Sequence, residues 1–379
     1  MRRRVLNAEH EAFREAIGSV LEKTAVDFQD EWDRAGRMPD SFFEALGDSG
    51  LFGLDIDPEY GGQGPADYGF KMVAWEEAAR LGVGIATVRT HTDVVTPYFV
   101  RFGNEEQKKQ WLPGIASGKT MASIAMSEPD TGSDLGGIST RAVRDGDEYV
   151  INGSKAYITG GLVAGLVVVV VRTSEDRRGG LTLVVVETDR PGFSRGNPLK
   201  KLGQSSSDTV DLFFENVRIP VGNRLGDEGK AFEYLTSNLS QERLAIAVGA
   251  VATSRAAITE TLDYTQSRRM FGTTLAAMQN TKFVLAGLSA KVEAAQTMVD
   301  AAAEDLIAGV LDPADAARAK LFCTEVQGEV VDACLQLHGG AGYLRETAIN
   351  RMYADSRVTR IYGGSSEVMK VIIARSMGL

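Results

Sequence analysis

Histidine and cysteine are scarce in this chain, with three of the first and two of the second among 379 residues. Cys323 and Cys334 stand eleven apart in sequence of helical character, without the spacing of a zinc site, and read as buried small hydrophobes rather than a thiol pair. His338 closes a helix, and no second histidine with an acidic orienter is recognisable, which sets aside Ser-His-Asp and Cys-His chemistry. Metal-ligand clusters are missing too. No long basic run stands out and the formal charge is −10, an argument against a nucleic-acid groove. No apolar stretch is long enough to span a bilayer: the longest, Gly161 to Val171, is valine-rich and reads as a buried strand. The basic opening Met1-Arg-Arg-Arg is followed by amphipathic helix, not by the apolar core of a signal peptide, so a cytoplasmic protein is expected.

What is present falls into three segments, in keeping with a length that suits two or three domains. Residues 1–120 read as helical: Ala12, Phe13, Ile17, Val20 and Leu21 recur at helical spacing, and a second amphipathic run follows from Ser41. Pro58-Glu-Tyr-Gly-Gly-Gln-Gly-Pro65 breaks this segment. Asn104 caps a short helix that Pro113 is expected to stop. Over residues 121–225 the period becomes that of strands, at Ala122 to Met126, Glu148 to Ile151, Leu166 to Val171, Leu181 to Val186 and Val210 to Phe214. An antiparallel sheet or barrel is expected there. Residues 226–379 return to the helical period with few prolines, as in a bundle of four or five long helices. The fold class is therefore α+β, in the order helical, β, helical.

Five stretches could carry chemistry. Ser127-Glu-Pro-Asp-Thr-Gly-Ser-Asp134 is either a polar turn or a loop whose hydroxyls and free N–H groups meet a polar ligand. Asn152-Gly opens a hairpin-like turn, after which Tyr157 and Thr159 share one strand face, suited to a flat heterocycle or merely to an ordinary mixed surface. Leu235, Leu239 and Ile246 mark a helical stripe that also contains Glu242. A carboxylate on that stripe is costly unless paired or functional, and the alternative is a drifting stripe that leaves Glu242 and Arg243 solvated. Leu335-Gln-Leu-His-Gly-Gly-Ala-Gly-Tyr343 and Ile361-Tyr-Gly-Gly-Ser-Ser-Glu367 place glycine pairs at helix ends, as caps or as points of close approach to a ligand.

Taken together, these stretches resemble the acyl-CoA dehydrogenase family over residues 8–379. The resemblance rests on Pro58-Glu-Tyr-Gly-Gly, Phe102-Gly-Asn-Glu-Glu-Gln-Lys, Met126-Ser-Glu-Pro-Asp-Thr-Gly-Ser-Asp, Asn152-Gly-Ser-Lys-Ala-Tyr-Ile-Thr, Arg268-Arg-Met-Phe-Gly, Gln336-Leu-His-Gly-Gly and Ile361-Tyr-Gly-Gly-Ser-Ser-Glu. It implies an N-terminal helical domain, a middle antiparallel β-barrel, a C-terminal four-helix bundle, and FAD bound between barrel and bundle in a homotetramer. By position, Met126, Ser127, Tyr157 and Thr159 would meet the flavin end. Arg268, Phe271 and Gln279 would meet the pyrophosphate and adenosine side. Gln336, Gly339 and Gly340 would reach FAD across the subunit interface, and Ser365 and Glu367 would also touch it. Ser133, which would adjoin both FAD and acyl-CoA, is joined on the substrate side by Arg243, Gly363 and Gly364.

One departure bears on the mechanism the resemblance implies. Many members carry the catalytic glutamate after the tyrosine of Ile-Tyr-x-Gly, where this chain has Gly363. A subgroup resembling the long-chain and isovaleryl enzymes keeps it on the first long bundle helix, in a Gln-Glu-Arg-Leu pattern present here as Gln241-Glu-Arg-Leu244. Glu242 is then the expected base for α,β-dehydrogenation of an acyl-CoA or acyl-carrier-protein thioester, with the flavin ribityl hydroxyl and the Gly363 N–H on the thioester carbonyl and electron-transfer flavoprotein as acceptor. Two rivals stand beside this: another flavin oxidation on the same fold, and a non-catalytic flavin-binding subunit.

Overall fold

The computed structural model describes residues 3–379; Met1 and Arg2, which begin the basic opening, lie outside the described residues. Seven helices come first: α1 (Ala8–Thr24), α2 (Gln29–Ala35), α3 (Asp40–Asp48), α4 (Tyr68–Arg80), α5 (Ala86–Arg89), α6 (Thr96–Phe102) and α7 (Glu105–Ala116). A π-helical turn, Thr90–Val95, joins α5 to α6. Eight strands follow: β1 (Ala122–Ala125), β2 (Arg141–Asp145), β3 (Glu148–Thr159), β4 (Leu166–Arg172), β5 (Leu181–Glu187), β6 (Phe193–Arg195), β7 (Thr209–Pro220) and β8 (Arg224–Leu225). The long α8 (Ala231–Ser267) leads through a small hairpin, β9 (Arg269–Met270) and β10 (Thr273–Thr274), into α9 (Gln279–Ile307), α10 (Pro313–His338), α11 (Ala348–Ser356) and α12 (Ser366–Ser376). Three of the C-terminal helices are long and two are short, and α10 packs on α8, α9 and α12 to complete the four-helix bundle.

Local chemistry explains the helix starts. Asn7 and Asn104 each form a reciprocal capping box, with His10 and Gln107 respectively, satisfying N–H groups that the first turn leaves free. Pro113 does not stop α7, contrary to expectation: the helix runs on to Ala116. Pro113 lies on the exposed side, where the carbonyl it strands can face water, while Trp111, Leu112 and Ile115 are buried and carry the last turn past it.

The middle sheet is not the closed antiparallel barrel expected. Its strand order is β6-β7-β3-β2-β4-β5-β8, an open path ending in strands of three and two residues, with β1 added parallel to β4. Along one edge of β4, β1 takes Leu166 to Val169, and β2 touches only Arg172, also in parallel sense. The sheet therefore splits at this point into two leaves, and a single register pair cannot close it.

That split accounts for the valine run. Val167, Val169 and Val171 enter a core shared with Ile151, Leu212 and Phe214 on β3 and β7. Val168 and Val170 face the other way, onto Phe99 of α6 and Trp111 of α7. A strand covered on both faces reads as continuous rather than alternating hydrophobicity. A third core joins α1, α3 and α4 to α8, α9 and α10, through Ile17, Phe43 and Met72 against Val248, Val299 and Val330. The N-terminal helices and the bundle thus clamp the middle third of α8 between them.

Because both faces of β4 are buried, Val168→Ala and Val169→Ala should each destabilise by roughly 2 kcal/mol in denaturant unfolding. A one-sided strand would give one large and one negligible effect.

Candidate active site

Helix α8 is 37 residues long and, from Ser240 to Val248, buried on every side. The stripe through Glu242 does not drift to the surface: Glu242 is 5% exposed and Arg243 6%. The Glu242 Oε1 accepts hydrogen bonds from the Tyr98 hydroxyl at 3.2 Å and from the Asn238 amide at 3.0 Å. Among the described residues Oε2 accepts none, which leaves it the free position of the carboxylate. Asn238 is itself held, donating to the Val94 carbonyl at 3.1 Å and accepting from Arg101 at 3.1 Å. Burial pushes the Glu242 pKa up to about 7, against the opposing pull of Asn238, Tyr98 and Arg243. A carboxylate poised there is half ionised at neutral pH and far more basic than one in water.

The Gly363–Gly364 turn faces this stretch of α8. Both residues have positive φ, +63° and +92°, and lead into α12, whose N-cap is Ser365. A Cβ on Gly363 would lie 2.3 Å from Ile246 Cδ1, one helical turn beyond Glu242, so a side chain at 363 and the one at 242 compete for adjoining space. Among the described residues the Gly363 N–H has no acceptor. Arg243 is buried, its Nε without a hydrogen-bond acceptor among the described residues, and desolvation pulls its pKa down while Glu242 pulls it up.

The middle-domain residues are organised by an ion pair that spacing did not reveal. Glu128 and Lys155 meet at 2.9 Å, 5% and 0% exposed, and tie the Ser127–Asp134 loop to β3. Glu128 also accepts from the Ser139 and Thr140 N–H groups, and Lys155 donates to the Met126 carbonyl. Burial alone would raise Glu128, but the ammonium and these donors hold it near 2; burial lowers Lys155 only to about 8, so the pair stays ionised at neutral pH. Met126 and Ser127 are half-buried beside the strut, and Ser133 is exposed on the loop. Tyr157 sits on a β-bulge between Lys155 and Ile158, at φ +61° and 68% exposed, with Thr159 half-buried after it. A left-handed, exposed tyrosine is a strained position of the kind found at ligand sites.

The remaining candidates lie on other elements. Arg268 caps the far end of α8, about 39 Å along the helix from Glu242. Phe271, at φ +49° and 90% exposed, forms the tip of the hairpin that follows, and Gln279 opens α9 on the surface. Gln336, Gly339 and Gly340 are exposed at the end of α10, and a Cβ on either glycine would meet nothing within 4 Å, so their backbone is open to approach. Ser365 is half-buried and Glu367 exposed at the start of α12. His338 is a helix-end residue: it stacks on Tyr264 at 4.1 Å and pairs with Thr261. Cys323 and Cys334 are free and buried. Among the described residues no group of His, Cys, Asp and Glu could hold a metal ion, and no helix is long and apolar enough to cross a membrane.

Sequence spacing missed Tyr98, Asn238, Lys320 and Asp93. Asp93 lies on the π-helical turn, fully buried; among the described residues neither carboxylate oxygen has a hydrogen bond, and Oδ1 ion-pairs with Lys71 at 3.7 Å, while its backbone carbonyl accepts from Gln241. π-turns concentrate at functional sites. The signal available was a polar run, Thr90-His-Thr-Asp93, inside a segment otherwise patterned as buried helix.

Helices, an open sheet and a helical bundle in this order make up the fold class of the acyl-CoA dehydrogenases. Sequence comparison agrees along almost the whole chain: the N-terminal, middle and C-terminal domain models of acyl-CoA dehydrogenase match residues 7–119, 123–217 and 229–378. The chain belongs to the acyl-CoA dehydrogenase family. It is 39% identical to the mitochondrial long-chain specific acyl-CoA dehydrogenase of Rattus norvegicus, over 99% of this chain and 88% of the relative. The crystal structure of acyl-CoA dehydrogenase from Geobacillus kaustophilus is similar at TM-score 0.97 and 40% identity, over 100% of both chains. A glutaryl-CoA dehydrogenase from Mycobacterium smegmatis, in complex with FADH2, is similar at TM-score 0.92 and 26% identity, over 99% of this chain and 95% of that one.

Lys155→Met should destabilise the protein by about 3–5 kcal/mol, because it leaves Glu128 buried and unpaired. Glu128→Gln added to it should recover part of that loss in urea unfolding. Since the folded pKa of Glu128 lies below its ordinary 4.5, the contribution is complete above about pH 4.5 and fades as pH falls towards 2.

Proposed function

We propose that this chain dehydrogenates an acyl-CoA thioester to the trans-2-enoyl-CoA, with Glu242 abstracting the Cα proton. The observation that carries the reading is the Glu242 carboxylate: buried, raised to about 7, anchored through one oxygen and free at the other. The Cα–H of a thioester is too weak an acid for a solvated carboxylate. A desolvated one gains basicity, and a donor on the carbonyl oxygen stabilises the enolate as it forms. The Gly363 N–H, without an acceptor of its own, suits that second task. Tyr98 and Asn238 keep the base in one orientation, and closure by the bound thioester would exclude the remaining water.

FAD is the cofactor of this reading, and when bound it supplies the acceptor for the Cβ hydride. The residues suit it: Met126, Ser127, Ser133, Tyr157 and Thr159 form a polar and aromatic group on the middle domain, and Ser365 and Glu367 open α12. Arg268 follows α8 about 39 Å along the helix from its own chain's base, and Phe271, Gln279, Gln336, Gly339 and Gly340 are exposed on the hairpin, α9 and the end of α10. Arg268, Phe271 and Gln279 meet the pyrophosphate and adenosine side of FAD, and Gln336, Gly339 and Gly340 reach FAD across the subunit interface of a homotetramer. Arg243 and Ser133 border the thioester substrate with Gly363 and Gly364. The location is cytoplasmic, and electron-transfer flavoprotein takes the electrons onward. An acyl-carrier-protein thioester presents the same reacting atoms and remains the second substrate to test.

Glu242→Gln should keep FAD and bind acyl-CoA while anaerobic flavin bleaching slows by several orders of magnitude; unchanged bleaching would remove Glu242 from the role. The pH profile of kcat/KM should rise with a pKa near 7, because only the ionised carboxylate accepts the proton. Asn238→Ala should move that limb to higher pH, since the lost hydrogen bond stabilises the ionised form.

A further inference from the structure

Lys320 sits about two turns into α10, 1% exposed. Lysine is almost never buried to this extent without a carboxylate, and among the described residues none lies within ion-pair reach of it. Among the described residues its ammonium donates one hydrogen bond, to the carbonyl oxygen of Gly364. The charged group that acts on it is another cation, Arg243, and burial together with that neighbour pulls the ammonium down to about 8. Neither an ion pair nor packing explains the side chain, because methionine or leucine would fill the same volume without the desolvation cost.

The segment it holds does need holding. Gly363 and Gly364 have no side chains to lock them, both adopt positive φ, and glycine loses more conformational freedom on ordering than any other residue. On one side the turn abuts Ile246 of α8, and on the other a Cβ at 363 would lie 3.7 Å from Lys320 Cε. Lys320 is thus the polar anchor of the turn, and a charge-assisted hydrogen bond is a stronger tie than a neutral one. The same turn carries the Gly363 N–H.

We propose that Lys320 is a positioning residue for the dehydrogenation: its ammonium fastens the Gly363–Gly364 turn so that the Gly363 N–H stays aimed at the thioester carbonyl opposite Glu242. This rests on the thioester reading given above. The role is indirect, since Lys320 touches the turn and not the reacting atoms. Its loss should therefore weaken enolate stabilisation more than substrate binding.

The test uses the FAD-loaded enzyme with wild type, Lys320→Met and Lys320→Arg in parallel. Turnover is measured on acyl-CoA, and the pH dependence of Cα deprotonation is measured with a 3-thiaacyl-CoA that loses its α-proton without being dehydrogenated, followed by its long-wavelength absorbance with flavin. In Lys320→Met, kcat should fall tenfold or more while KM changes less than about threefold, and the apparent pKa of deprotonation should rise by about one unit. Lys320→Arg should return both towards wild type. If Lys320→Met does not fold, Lys320→Gln replaces it under the same expectations. A neutral variant with wild-type kcat and deprotonation pKa, altered only in thermal stability, would overturn the positioning role. Absence of deprotonation in the wild type itself would overturn the thioester reading, and this role with it.

Discussion

The Glu242 carboxylate, bonded to Tyr98 and Asn238 on a stretch of α8 that water barely reaches, constrains everything around it. An ionised carboxylate in such surroundings costs several kcal/mol unless its lone pairs are met. Two donors meet one oxygen, and the second oxygen is left to the substrate. Its basicity comes from an imbalance: burial, helped by the charge of Asp93, outweighs two hydrogen bonds and the Arg243 guanidinium. Had the site satisfied both oxygens, the group would be better buried and a weaker base.

Each part of the chain contributes to that balance. The N-terminal segment brings Tyr98 on α6 and the π-helical turn whose Val94 carbonyl orients Asn238. The bundle supplies the base on α8, the Lys320 anchor on α10 and the di-glycine turn before α12. The middle sheet, through the double-faced β4, seats α6 and α7, and its Glu128–Lys155 strut fixes the loop beside Met126 and Ser127. The base therefore depends on three regions far apart in sequence, and the clamp on α8 by one shared core keeps them in register.

The order of segments was legible because it follows from period alone: Ile17 and Leu21 repeat as a helix, and the valines of β4 and β5 as strands. The closed barrel was not, because closure depends on which strands meet at an edge, and β2 touches β4 only at Arg172. Pro113 misled because a proline's effect on a helix is set by which side faces water. Glu242 was placed on a core stripe by spacing, but its burial depends on α6 and the π-helical turn packing against it, contacts distant in sequence. Tyr98, Asn238 and Lys320 were invisible for a related reason. Each is an ordinary residue on a helix, singled out only by the one atom it bonds in space.

The central claim is that Glu242 titrates near neutrality inside the protein. Infrared difference spectroscopy of the protonated carboxyl band across pH, comparing wild type with Glu242→Gln, reads this directly. A band titrating near pH 7 that disappears in the variant is the predicted result, distinguishable from Asp93 and Asp355, which lie near 6 and persist in both proteins. Identical titrations in the two proteins, with no carboxyl lost above pH 6, would contradict the account.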